Sequence, residues 1–330
     1  MMMYPMDVSQ SLGSNCTGIG SSTVNNASSS TANGSMSQSI LALRFYLLLL
    51  LSLTFGLFNL VCFVTVLTTK NLRGGAGILL GHMMLVEATM CLLFFPISQV
   101  FVYVHLRSVP TCRIFMFFFA LVNNVGFYNI LILAVNRFIA INLPLHYHKL
   151  STAKCNAAFV LTSWVVCITL NLPMEFNGGV GHYGVNPVYG GCITEVVRPE
   201  LFDYKTLHSY LAIYFPLAMT GLLYGCVLLK QLSKCKRITP ASQMTTREAG
   251  IIKRKLRIFW MLLVSYVLYA FCFLTYPVLT RALPDTVSKY PMLPLWILLI
   301  VVCGYFVHPV RVLQSLDSSL RCCCTTLCLY

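Results

Sequence analysis

Acidic residues are scarce in this chain. Its 330 residues hold nine Asp and Glu against 23 Lys and Arg, a formal charge of +14, and charged residues of all kinds make up only 10%. Soluble domains are roughly a quarter charged, so water is not the main solvent for most of this polypeptide. Catalytic signatures are missing too. Neither His-Glu-x-x-His nor Gly-x-Ser-x-Gly occurs, so no metal-assisted hydrolysis, no serine nucleophile and no cofactor is expected. The opening MMMYPMDVS has neither a basic region nor an apolar core, and no cleaved signal peptide is expected there. An internal repeat of the kind that builds many transporters is absent as well.

What the chain does have is long apolar sequence, with 57% hydrophobic residues. Seven runs are each long enough to cross a hydrocarbon core as a helix of about 20 residues. They extend over Leu43 to Leu67, Ala76 to Val104, Cys112 to Ile141, Asn156 to Pro173, Leu207 to Leu232, Leu256 to Thr280 and Met292 to Leu313. The expected fold is an all-α membrane protein: a seven-transmembrane helix bundle over residues 42–315, a tail over 1–41, and a cytoplasmic end over 316–330 with a short amphipathic eighth helix near Leu313 to Leu320.

Charge orients the bundle. Segments after odd-numbered spans, with the C-terminal tail, carry 16 of the 23 Lys and Arg against Glu248 and Asp317 alone, whereas the opposite face is nearly neutral. The positive-inside bias makes the basic face cytoplasmic and the N-terminus extracellular. Basic loops between spans are accounted for by topogenesis and anionic lipid, so no nucleic-acid partner is expected. The tail is rich in Ser, Asn, Thr and Gly, too poor in apolar residues to build a core. Three sequons, at Asn15, Asn26 and Asn33, fall in it and agree with an outside location as glycosylation acceptors.

Topology also sorts the 15 cysteines. Only Cys16, Cys112 and Cys192 face the oxidising side, and Cys16 belongs to the tail, so a Cys112 to Cys192 bridge is expected; two free thiols are the alternative. Cys322, Cys323 and Cys324 sit just past the last span and are candidates for palmitoylation, against an unmodified tail.

Ionisable side chains inside a bilayer cost at least about 2.5 kcal/mol each at mid-span, which asks for a partner or a task. Arg137 and Arg311 lie close enough to the cytoplasmic boundary to snorkel, but Glu87 and His308 do not. Pro96, Pro173, Pro216, Pro277 and Pro309 interrupt five of the seven spans.

These features run in an order that resembles the rhodopsin-like (class A) G-protein-coupled receptors. The resemblance rests on Asn59 in span one, Glu87 with Pro96 nine residues on, and Cys112 followed after 25 residues by Asn136-Arg137-Phe138. It continues through Pro144-Leu-His-Tyr147, Trp164, Pro173 and Cys192, then Pro216 with Tyr224 eight residues later, Phe271 six before Pro277, and His308-Pro309. It spans residues 42–324 and implies an outside ligand pocket with an inner crevice that admits a heterotrimeric G protein when the sixth helix swings out. Coupling and switching would then fall to Asn136, Arg137, Phe138, Tyr224, Arg257, Phe271, Pro277, His308 and Pro309.

Departures from the family pattern carry their own expectations. The acid that usually precedes the third-helix arginine is Asn136, and its sixth-helix counterpart is Arg257; two cations cannot form the usual restraining ion pair, so ligand-free signalling should be raised. The interior sodium site is replaced by Asn59, Glu87 and His308, where a carboxylate and an imidazole can share a proton. Val312 stands where a tyrosine would reach Tyr224, and Thr275 replaces the aromatic two residues before Pro277.

By helical spacing, Phe119, Asn123, Thr275, Leu279 and Leu298 should line the pocket. Phe119 occupies the place of the aspartate that amine receptors use, which points to an apolar, lipid-like or odorant-like small molecule, with a peptide under the Asn177 to Gly191 loop as the alternative. The Ile-Asn-Leu-Pro-Leu-His-Tyr run is similar to that of chemosensory members. A transporter or channel with a proton-linked Glu87/His308 site is the competing class.

Overall fold

The computed structural model describes residues 38–69, 75–105, 108–143, 151–176, 182–185, 191–195, 204–237, 263–275 and 293–306, with single positions between and after them. Asn15, Asn26, Asn33, Arg257, Pro277, His308, Val312, Cys322, Cys323 and Cys324 lie outside the described residues.

Helices dominate because, in hydrocarbon, a helix is the one open-chain form that pairs its own N–H and C=O groups. The first span is Gln38–Thr68 and begins inside the Ser-rich stretch assigned to the tail. The second is Gly75–Thr89 continued by Phe95–Tyr103, the third Val109–Asn142 and the fourth Ala153–Phe176. The fifth is Tyr204–Ser209 continued by Phe215–Arg237. Among the described residues, five helices are long and apolar enough to cross a membrane; the sixth and seventh spans are represented by Leu263–Thr275 and Leu293–Gly304. Hydroxyls within the spans fold back on their own helix: Thr54 donates to the Leu50 carbonyl and Thr89 to the Leu85 carbonyl, both at 2.8 Å. Such bonds satisfy these hydroxyls within their own helix.

Two of the expected proline sites reshape the helix one residue earlier. Met90–Phe94 and Tyr210–Tyr214 are single π-helical turns, in which the Phe95 N–H reaches the Met90 carbonyl and the Phe215 N–H the Tyr210 carbonyl. Pro96 and Pro216 follow directly after these two N–H donors. A proline cannot donate to the carbonyl four residues back and its ring collides with it, so the preceding turn widens to an i to i−5 bond.

The core lies between the second, third, sixth and seventh spans, around Met84, Met90, Phe95, Val125, Phe127, Tyr269, Phe273 and Tyr305. Large apolar side chains such as Leu50, Val61, Leu161 and Val165 point outward instead, as they should where the surrounding solvent is hydrocarbon. Between the fourth and fifth spans, strand β1 (His182–Val185) pairs antiparallel with β2 (Cys192–Glu195), Val185 opposite Cys192 and Tyr183 opposite Thr194. Cys112 and Cys192 form the expected disulfide, with a Cα–Cα distance of 5.1 Å. Gly191 enters β2 at φ +76°, and a Cβ there would meet the Val102 side chain at 2.8 Å, so a residue without one is required. The bridge and the buried Tyr183, packed on Met116 and Met174, fix this hairpin to the outer ends of the third and fourth helices.

Candidate functional site

Asn123 sits one helical turn below Phe119 on the third span, and both side chains are buried. The Phe119 ring lies edge-on to Phe94 and Phe95, each at 6.0 Å between centroids. Leu298 is buried in the same cluster, whereas Thr275 and Leu279 are half-buried on the sixth-helix side. The Thr275 hydroxyl is spent on its own helix, donating to the Phe271 carbonyl at 2.6 Å. The expected lining is therefore mostly apolar, with Asn123 as its polar member.

Asn123 is also the link to the interior. Its Oδ1 accepts a hydrogen bond from the Tyr305 hydroxyl at 3.0 Å, while its Nδ2 meets no hydrogen-bond partner among the described residues. Tyr305 is wedged edge-on between Phe95 and Phe273, with centroids 5.3 Å from each. Its carbonyl accepts from Asn59 Nδ2 at 3.1 Å, a donor that also reaches the Phe55 carbonyl at 3.0 Å. Glu87, 3% exposed, lies within electrostatic reach of Cys91, Tyr269 and Tyr305. Asn59 and Glu87, expected at the interior polar site, are both buried, Asn59 bonded to Tyr305 and Glu87 within electrostatic reach of Tyr305 and Tyr269; the Glu87 to His308 contact falls outside the described residues.

Phe271 requires a correction. Counting back from Pro277 puts it among the switch residues, but its side chain is 64% exposed and points out of the bundle. The inward face of the sixth helix carries Tyr266, Tyr269 and Phe273, at intervals of three and four residues. Phe273 packs edge-on against Phe127 at 5.1 Å and against Tyr305, filling the place expected of Phe271.

At the inner end, Tyr224 is buried in a cluster with Ala134 and Val227, flanked by Phe138, Leu263 and Tyr266. Arg137 is half-buried and within electrostatic reach of the Tyr224 hydroxyl. Asn136 is buried and its Oδ1 meets no hydrogen-bond partner among the described residues. Lys230 on the fifth helix donates to the Asn142 carbonyl at 3.2 Å, tying that helix to the end of the third.

Half-buried His82 and the buried His208 and Arg44 escaped the sequence reading. His82 accepts from the Trp164 indole at 3.0 Å and is joined to Asn129 at 3.0 Å. His208, fully buried, has Nε2 at 3.3 Å from Asn171 Oδ1 and 3.4 Å from Asn124 Nδ2, which joins the third, fourth and fifth spans. Arg44, counted with the outer charges, is 1% exposed inside the first span. A lone histidine or arginine in an apolar run has no spacing signature; the only available signal was the cost of burying it.

The family model described as 7 transmembrane receptor (rhodopsin family) matches residues 58–311. The chain is 23% identical over 170 residues to the 5-hydroxytryptamine receptor 1E of Homo sapiens and to that of Pan troglodytes. The match covers 51% of this chain and 45% and 46% of those receptors, so the chain spans about half the length of the curated relatives it matches. Its fold is similar to the crystal structure of squid rhodopsin, with a TM-score of 0.68 over 87% of this chain and 88% of that one at 13% identity. An all-helical bundle of rhodopsin type and a family match across most of its length leave one assignment: this multi-pass membrane protein belongs to the rhodopsin family of seven-transmembrane receptors.

Proposed function

We propose that this receptor takes an apolar, odorant-like small molecule between Phe119, Asn123, Thr275, Leu279 and Leu298 and passes its binding to a heterotrimeric G protein by outward movement of the sixth helix. The observation that carries the reading is the 3.0 Å bond from Tyr305 to Asn123. It makes the polar residue of the pocket a direct partner of the seventh helix, one ring contact from Phe273 on the sixth. A ligand that displaces or recruits Asn123 therefore acts on both moving helices at once. The aromatic Phe119 offers no counter-ion for an amine, so the ligand class differs from that named for the 5-hydroxytryptamine receptors.

The N-terminus faces outward at the plasma membrane and carries glycans at Asn15, Asn26 and Asn33; Cys322, Cys323 and Cys324 take palmitate on the cytoplasmic side. Charge asymmetry supports that orientation, and family membership supports a receptor over a proton-linked transporter. The test is a panel of apolar small molecules on transfected cells. A response lost in Phe119→Ala and Asn123→Leu at undiminished surface display is expected. Responses unaltered by both substitutions would rule the pocket out.

A further inference from the structure

Tyr266 projects from the sixth helix into the fifth and donates its hydroxyl to the Leu217 backbone carbonyl at 2.8 Å. Leu217 and Gly221 are one helical turn apart, and the hydroxyl lies directly against the glycine. A Cβ on Gly221 would stand 2.6 Å from the phenol oxygen and 3.3 Å from the ring carbon that bears it. Glycine at this position is what lets the phenol reach the backbone. Tyr224, one turn further in, closes the other side with its ring 5.7 Å from that of Tyr266 at an interplanar angle of 61°. Leu263, Phe138 and Ile141 complete an apolar surround.

A phenol hydroxyl in such surroundings needs an acceptor, and helix carbonyls are already used once by the helix. The second lone pair of Leu217 serves, and the hydroxyl would lose it on any outward movement of the sixth helix at this level. Asn136 and Arg257 cannot supply an ion pair between the third and sixth helices. We propose that the Tyr266 hydroxyl, held in the Gly221 notch on the Leu217 carbonyl, is the uncharged restraint that keeps the sixth helix against the fifth in the resting receptor. The inference rests on the outward-movement reading given above, and its test separates the two.

Spin labels carried on genetically encoded residues at Leu229 and Trp260, both exposed, report the separation of the fifth and sixth helices in the full chain in lipid nanodiscs. Tyr266→Phe deletes the hydroxyl and keeps the ring; Gly221→Ala fills the notch and displaces the phenol. Each is expected to raise the longer-distance population by about two- to tenfold, the range set by the net worth of one hydrogen bond, and to raise ligand-free G-protein activation in cells in parallel. Unchanged distances in Tyr266→Phe at normal surface display overturn the restraint, whatever Gly221→Ala does. Lengthened distances without any G-protein response uphold the restraint and remove the signalling reading. Increased signalling without lengthened distances does the reverse.

Discussion

The indole N–H of Trp164 donates to Nε2 of His82 across 3.0 Å, and the opposite ring nitrogen of His82 meets Asn129 Oδ1 at the same distance. Together these two bonds fix the ring. Nε2 must be bare to accept, so the proton sits on Nδ1 and is donated to Asn129, leaving the imidazole neutral and three helices joined through it. His82→Phe leaves the indole N–H without its acceptor and Asn129 without its donor. The expected loss is about 1–2 kcal/mol of stability, read as a lowered melting temperature of the purified receptor in nanodiscs. A melting temperature equal to that of the parent chain contradicts this role.

The Tyr305 to Asn123 bond is expected to couple energetically as well as geometrically. A double-mutant cycle of Tyr305→Phe and Asn123→Leu, read by thermal unfolding, should give a coupling of about 0.5–1.7 kcal/mol, the span seen for polar contacts between membrane helices. Strict additivity would mean that the two side chains do not depend on each other.

Removing the Cys112 to Cys192 bridge, which closes a separation of 80 residues, should cost about 2–5 kcal/mol through the wider freedom of the unfolded chain. Cys192→Ser is expected to lower surface display and to release the hairpin, so that β1 becomes open to protease in intact cells. Equal protection in parent and variant would show that Tyr183 packing alone holds the hairpin.

How much of this was legible beforehand follows from what membrane sequence encodes. Span positions, the intramembrane Glu87 and the Cys112 to Cys192 pair were readable because length, charge and compartment determine them, and Asn59 was readable through the family resemblance. The orientation of the sixth helix was not. In a soluble helix polar residues mark the outer face, but here both faces are apolar. Phe271 and Phe273 therefore look alike in sequence, and a count back from Pro277 chose the outward one. His82 and His208 were passed over because a partner such as Trp164 or Asn171, some 40 to 80 residues away, leaves no local pattern. The glycine notch at Gly221 was invisible for the same reason: its meaning depends on Tyr266, which lies on another helix.

Glu87 provides a proton-linked prediction. It follows from the sequence expectation of a Glu87/His308 pair that shares one proton and couples its uptake to activation. Acidification is expected to raise ligand-free signalling in the parent and to raise it less in Glu87→Gln, which loses the carboxylate and leaves only the imidazole to titrate. A pH response undiminished in Glu87→Gln would move the proton sensor elsewhere.

The most direct test of the account is ligand-free activation across G-protein classes in transfected cells, with surface display measured alongside and Arg257→Glu as the paired variant. Activity above an empty-vector control is expected, lowered in Arg257→Glu, which puts an acid where the family resemblance expects the counterpart of Arg137. No activation above the control from a receptor shown to be at the cell surface, together with no change in Arg257→Glu, would contradict it.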